Sequence, residues 1–164
     1  MNKKLEQEFV ELLDKNQNLL HKICRLYTTD DAAHKDLFQE ISIQLWKAYP
    51  KFKGESKFTT WAYRVALNTA ISLYRKQTRS LTTTSIDLAN YRFEYTEYNH
   101  QEEEQLTLLY NALHHLNDIE KALIFMYLED KNYEEIAETL GISEVNARVK
   151  MNRIKTKLKK ILNP

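Results

Sequence analysis

The chain has 164 residues, a net charge of +1, one cysteine, and only two glycines and two prolines. Strand-and-turn architectures spend Gly and Pro at every reversal, so this composition excludes a turn-rich β fold and favours long helices. It also excludes an internal disulfide. No stretch approaches the ~20 apolar residues that span a bilayer, and the polar start from Met1 to Glu8 is unlike a signal peptide, so the expected location is the cytoplasm.

Leu5, Phe9, Leu12, Leu19, Ile23 and Leu26 recur at helical spacing and predict one helix over about Lys3 to Tyr27. Thr29, Asp30 and Asp31 supply turn and N-cap chemistry for a second helix, which buries Leu37, Phe38, Ile41, Leu45 and Ala48 and stops before Pro50. A loop, Lys51 to Ser56, leads with Ser56 as N-cap into a third helix from Lys57 to about Arg79, with Phe58 and, for the most part, Trp61 read as core. The helical period is then lost over 81–99, read as an acidic linker. Helicity resumes at about His100 to His115, with Leu106, Leu109 and Leu113 on one face, and again from Asp118 to Glu129, with Ile119, Leu123, Met126 and Tyr127 inward. The expected class is all-α: two small helical domains, residues 1–80 and 100–164, joined by the linker.

Residues 132–160 carry the sharpest local signal. Asn132 and Glu135 form a capping-box pattern ahead of a short helix, Tyr133 to Leu140. Gly141 suits a left-handed exit, Ile142 plugs the corner, and Ser143 caps the next helix. Small Ala137 lets the helices cross closely, and Ala147, Met151, Ile154 and Leu158 give the second helix its buried stripe. This is the pattern of a helix-turn-helix, whose second helix enters the major groove. Ser143, Glu144, Val145, Asn146, Arg148, Lys150, Asn152 and Arg153 are the candidate contacts, with Arg148 suited to guanine and Asn146 to adenine. Lys155, Lys157, Lys159 and Lys160 suit phosphates.

The small net charge conceals segregation. Residues 41–80 sum to +7 and residues 141–164 to +6, with acidic segments around them. Two basic blocks predict two contacts with a polyanion. In the first block, Phe52, Phe58, Trp61, Tyr63 and Tyr74 interleave with Lys51, Lys53, Lys57, Arg64, Arg75, Lys76 and Arg79, the composition that holds single strands by stacking and phosphate contact.

Asp36-Leu37-Phe38-Gln39-Glu40, together with the run from Phe52 through Gly54, Ser56, Phe58 and Thr60-Trp61 to Tyr63-Arg64 and Asn68, resembles region 2 of extracytoplasmic-function sigma factors. Tyr133-Glu134-Glu135-Ile136-Ala137-Glu138 followed by Leu140-Gly141-Ile142-Ser143 resembles region 4 of the same family. The resemblance implies a promoter-recognition subunit of RNA polymerase that needs neither cofactor nor metal and takes no small-molecule substrate. It implies that Phe52, Lys53, Gly54, Ser56, Lys57, Thr60, Trp61, Tyr63, Arg64, Asn68 and Arg75 engage the −10 element, and that the helix-turn-helix engages the −35 element. Asp36, Gln39, Glu40, Ile43 and Gln44 would grip the β′ clamp helices of core polymerase, and the second domain the β flap; an anti-sigma factor is the inhibitor such a protein takes. The linker and its flank, with Asp87, Glu94, Glu97, Glu102, Glu103 and Glu104, are similar to the family segment that threads the polymerase channel.

The chain departs from the family pattern in three places. Arg64-Val65 stands where primary sigma factors carry a tandem aromatic wedge, Asn117 replaces the usual Pro that opens region 4, and Asn146 to Lys150 differ from the common recognition-helix residues. The competing reading is a helix-turn-helix regulator acting without polymerase, which leaves the first domain unexplained. An enzyme is disfavoured because His21, His34, His100, His114 and His115 are scattered, and His21 with Cys24 makes only two metal ligands.

Overall fold

A computed structural model describes residues 2–80 and 100–164; the predicted linker lies outside the described residues. The chain divides into two units, Met1–Arg79 and Ser80–Pro164. The first holds α1 (Lys3–Lys15), α2 (Gln17–Tyr27), α3 (Asp31–Ala48), a 3₁₀ turn (Tyr49–Lys51) and α4 (Phe58–Ser80). The second holds α5 (His100–Leu113), α6 (Asp118–Leu128), α7 (Tyr133–Leu140) and α8 (Glu144–Leu162).

The long first helix predicted from the apolar stripe is two helices. Asn16 leaves helical geometry at φ −116° and ψ 15°, and its side-chain amide donates to the Leu12 carbonyl at 2.7 Å. A short amide side chain that competes for backbone partners ends the helix there. Asp30 caps α3 as expected, accepting from the Ala33 N–H at 2.8 Å. Ser56 does not cap α4: it stands two residues before the helix, and its hydroxyl donates to the Lys57 carbonyl.

Leu20, Ile23, Cys24 and Leu26 of α2 meet Leu37, Ile41 and Leu45 of α3 in the core of the first unit. Each such aliphatic side chain contributes about 1.5–3 kcal/mol by leaving water. Burial also pushes the Cys24 thiol up to about 12, so it behaves as a small apolar side chain. On α4 the deepest residues are Ala62, Ala66, Leu67 and Ala70, whereas Phe58, Trp61 and Val65 are only half-buried. The buried stripe of α4 thus runs one residue on from Trp61, through Ala62, Ala66 and Ala70.

In the second unit α6 is the central element, with Ala122, Leu123, Ile124, Phe125 and Met126 all buried. Leu123 and Met126 point inward as expected; Tyr127 does not, being 38% exposed. Leu106 is likewise 41% exposed; α5 buries Leu113 as expected, together with Tyr110 and Ala112. Lys121 is 2% exposed, and burial lowers its ammonium to about 8 against the opposing pull of Asp118. Asn117 accepts from the Glu120 N–H at 2.9 Å while its own N–H donates to Glu120 at 3.0 Å. The residue that replaces the family proline therefore starts α6 with a capping box.

Asn132 and Glu135 make the same reciprocal bonds at 2.9 and 3.1 Å, and Ser143 accepts from the Asn146 N–H at 3.1 Å. Gly141 adopts φ +67°, and an added Cβ would meet nothing within 4 Å, so the dihedral alone demands glycine. Asp130 ends α6 at φ +60°, a left-handed position filled by a residue with a Cβ. Asp130→Gly should accordingly raise stability by up to about 1 kcal/mol and Gly141→Ala lower it by about 1–2 kcal/mol. Urea unfolding followed by far-UV circular dichroism checks both signs.

His21 and His34 join α2 to α3, Nδ1 to Nε2 at 2.9 Å, with His21 stacked on Phe38 at 4.5 Å. The bond requires one ring to accept, so at least one imidazole is neutral. Burial lowers both below their ordinary value; Arg25 adds to this at His21, and His21 and then Arg25 add to it at His34, where Asp31 opposes it. The unfolded chain therefore binds protons more readily, and stability present at neutral pH is lost as pH falls below the ordinary value of 6.5. Trp46 and Trp61 both lie in this unit, so their fluorescence should show a urea midpoint that drops between about pH 7.5 and about pH 5.5. His34→Gln should flatten that drop.

Candidate nucleic-acid interface

The 52–57 loop is held at its base by rings. Phe52 lies 5.0 Å from Trp61 and 6.1 Å from Phe58, Phe58 lies 5.5 Å from Trp61, and Tyr49 stands 6.2 Å from both Phe52 and Trp61. Tyr49 is buried against Phe9 at 5.2 Å, so the cluster roots the loop in the core. Between these anchors Lys53, Gly54, Glu55, Ser56 and Lys57 are all exposed. Gly54 takes φ +71° with open space around it, which reverses the chain at the loop's tip. Phe52 and Trp61, expected as stacking surfaces, are half-buried and in contact with each other.

Along α4, Arg64, Asn68 and Arg75 are exposed at spacings of four and seven, which places them on one face. Thr60, one turn before Arg64, is partly exposed and continues that face toward Lys57. Tyr63 is corrected: it is 5% exposed, four residues before buried Leu67, and its ring belongs to the core. The face of α3 bearing Asp36, Gln39 and Ile43 is exposed, Ile43 at 46%, while Glu40 and Gln44 are partly covered and bonded to each other at 2.8 Å. Asp36 and Glu40 also border a cleft of about 380 Å³ shared with Tyr27, Leu37 and Tyr74.

On α8, Ala147, Met151 and Ile154 are buried and leave Glu144, Val145, Asn146, Arg148, Asn152 and Arg153 exposed, with Lys150 partly so. Val145 is 72% exposed, an apolar side chain set in a cationic face. Ser143 is committed to its cap. Lys157, expected on phosphate, holds both oxygens of Glu120 at 3.0 and 3.1 Å and clamps α8 to the start of α6. Glu102 and Glu104 are exposed and Glu103 partly so; Asp87, Glu94 and Glu97 lie outside the described residues.

Two tyrosines border this face, Tyr133, which the sequence reading did not single out as a contact, and Tyr127, which it placed inward. The Arg148 guanidinium stands 4.4 Å over the Tyr133 ring, with Nη2 donating to Glu144 at 2.9 Å. Tyr133 lies 6.2 Å from Tyr127, and the Lys155 ammonium stands 4.7 Å over the Tyr127 ring. The only signal in the sequence was Tyr133 at the first position of a helix, which says nothing of the cation that packs on it.

The family model Sigma-70 region 2 matches residues 12–80, and the model Sigma-70, region 4 matches residues 106–158. The chain belongs to the sigma-70 family, as an extracytoplasmic-function sigma factor. It is 29% identical over 140 residues to an ECF RNA polymerase sigma-E factor of Haemophilus influenzae, covering 79% of this chain and 74% of that one. It is 28% identical over 136 residues to RNA polymerase sigma factor YlaC of Bacillus subtilis, covering 77% and 75%. Its fold is similar to the sigma factor RpoE of Bartonella quintana in complex with the anti-sigma factor NepR, at a TM-score of 0.73 and 18% identity over 95% of this chain and 97% of that one. CnrH, in complex with the cytosolic domain of CnrY, gives 0.68 and 19% over 96% and 89%. This sigma factor binds core RNA polymerase and directs promoter recognition and transcription initiation, and a regulator acting without polymerase is not favoured. Sigma factors in general are not enzymes, and no helix among its described residues is long and apolar enough to cross a membrane.

The ring cluster makes the sigma factor's loop sensitive to its anchors. Phe52→Ala strips contacts to Tyr49, Phe58 and Trp61 and should cost about 1–3 kcal/mol, less than a fully buried Phe. Trp61 emission should shift to the red while far-UV dichroism stays unchanged.

Proposed function

We propose that the two cationic faces divide the promoter between them. The exposed face of α4 with Lys57, Thr60, Arg64, Asn68 and Arg75 tracks the open −10 strand, and the 52–57 loop encloses one extruded base of it. The loop suits that use because its ends are pinned by Phe52 and Phe58 while Lys53, Ser56 and Lys57 are left to solvent. Unstacking a base costs a few kcal/mol, which a preformed loop offsets more cheaply than one that must order on binding. The first turns of α8 read the −35 element, with Arg148 and Asn146 at base edges and Lys150, Arg153, Lys159 and Lys160 on or near phosphate.

The observation that carries this reading is one geometry met twice: a helix whose alanines or alanine and methionine are buried and whose opposite face is exposed and cationic. The α3 face of Asp36, Gln39, Glu40, Ile43 and Gln44 docks on the β′ clamp helices, the second unit meets the β flap, and the acidic segment from 81 to 105 follows the polymerase channel. An anti-sigma factor, such as the NepR bound to the Bartonella quintana relative, covers these surfaces until release. The protein works in the cytoplasm, where the polymerase and promoter are.

The two contacts separate experimentally. Arg148→Ala should weaken use of the upstream element by about 1–3 kcal/mol, whereas Arg64→Ala should impair opening of the downstream one. In permanganate footprinting, a pre-melted template should rescue Arg64→Ala and not Arg148→Ala. The reverse pattern would exchange the two assignments.

A further inference from the structure

We propose that Tyr133 is a positioning residue that presets Arg148 for base readout. The inference rests on the reading of α8 as the −35 helix. Arg148 belongs to the second turn of α8 and is held from two sides, by the Tyr133 ring of α7 at 4.4 Å and by Glu144 one turn earlier at 2.9 Å. Tyr133 is held in turn by Tyr127 of α6, on which Lys155 sits. Three helices thus contribute to one array, in the order Arg148, Tyr133, Tyr127, Lys155.

The chemistry of the stack matters for function. A guanidinium attracted to the face of a ring keeps its N–H donors in its own plane, directed away from the ring. Of its five donors, the bond to Glu144 engages Nη2, so the planar fork that matches a guanine edge stays available on its other side. A long, flexible side chain at an exposed site ordinarily loses rotamer freedom when it binds. A preset arginine loses less, and it presents its fork to one base position rather than to several. Tyr133 achieves this from another helix without touching DNA itself. Its position at the start of α7 is fixed by the Asn132–Glu135 capping box, so the readout angle is tied to the corner that places α8.

The test uses the full chain assembled with core polymerase on a promoter library randomised across the upstream element. Wild type, Tyr133→Phe, Tyr133→Leu, Tyr133→Gln, Arg148→Ala and the Tyr133→Leu/Arg148→Ala double variant are compared, with circular dichroism melts confirming the fold of each. Arg148→Ala should relax preference at one base position. Tyr133→Leu and Tyr133→Gln should relax the same position by about two- to fivefold, the loss expected for an exposed cation–π contact. Tyr133→Phe should keep the preference, because the ring and not the hydroxyl holds the guanidinium, and the double variant should be no worse there than Arg148→Ala alone. If Arg148→Ala relaxes a position and neither Tyr133→Leu nor Tyr133→Gln does, the inference fails and the −35 reading stands. A uniform fall in transcription with lowered melting and unchanged base preference assigns Tyr133 a structural role only, and also overturns it. An Arg148→Ala variant with unchanged preference at every position removes the −35 reading itself, and this inference with it.

Discussion

Every helix end in a small module must find partners for its unpaired N–H and C=O groups within a few residues, and that constraint places the rest of the second unit. Asn117 and Asn132 each close a reciprocal box with a glutamate three residues on, and Ser143 caps α8. Asp130 and Gly141 close the opposite ends in left-handed geometry. With α6 and α7 starting and stopping at set residues, the direction in which α8 leaves the corner is settled before any of its own side chains act. Glu120 shows how closely the ends are coupled to α8, since the carboxylate that closes the first box also holds Lys157.

The first unit meets the same size limit by another route. Its loop cannot be stabilised by a core of its own, so Phe52, Phe58, Trp61 and Tyr49 form a ring cluster beneath it, continuous through Phe9 with Trp46. Aromatic pairs beyond their buried area add about 0.5–1.5 kcal/mol each. The cluster leaves the five loop residues exposed without leaving them unanchored. If, as proposed, the loop meets a strand being unstacked, it gains from that arrangement, because ordering it on binding would subtract from the energy needed to hold the base.

The charge layout is consistent with a protein that relies on its polymerase. A net charge of +1 provides little long-range attraction to DNA, yet each unit carries one cationic face. Under the proposed reading, binding depends on core polymerase presenting both faces, and the α3 face, with Ile43 exposed among polar neighbours, has the mixed polarity that docking would use.

Apart from the break at Asn16, the helices, their order, the split into two units and the helix-turn-helix were legible in the sequence, because apolar periodicity, capping residues and a left-handed glycine act over four to eight neighbours. The family motifs were legible for the same reason. Asn16 showed the limit of periodicity: an unbroken stripe did not reveal that one amide would take the Leu12 carbonyl. Which side chains share a surface was decided only by tertiary packing. Tyr63 looked like a strand contact from its basic neighbours, yet it lies on the face that α4 buries. Tyr127 looked like core from its spacing, yet it supports Lys155 at the surface. His21 and His34, thirteen residues apart, and Tyr133 and Arg148, fifteen apart, meet because separate helices cross. Spacing along one helix fixes a residue's direction around that helix; the angle at which the next helix arrives determines what it meets there.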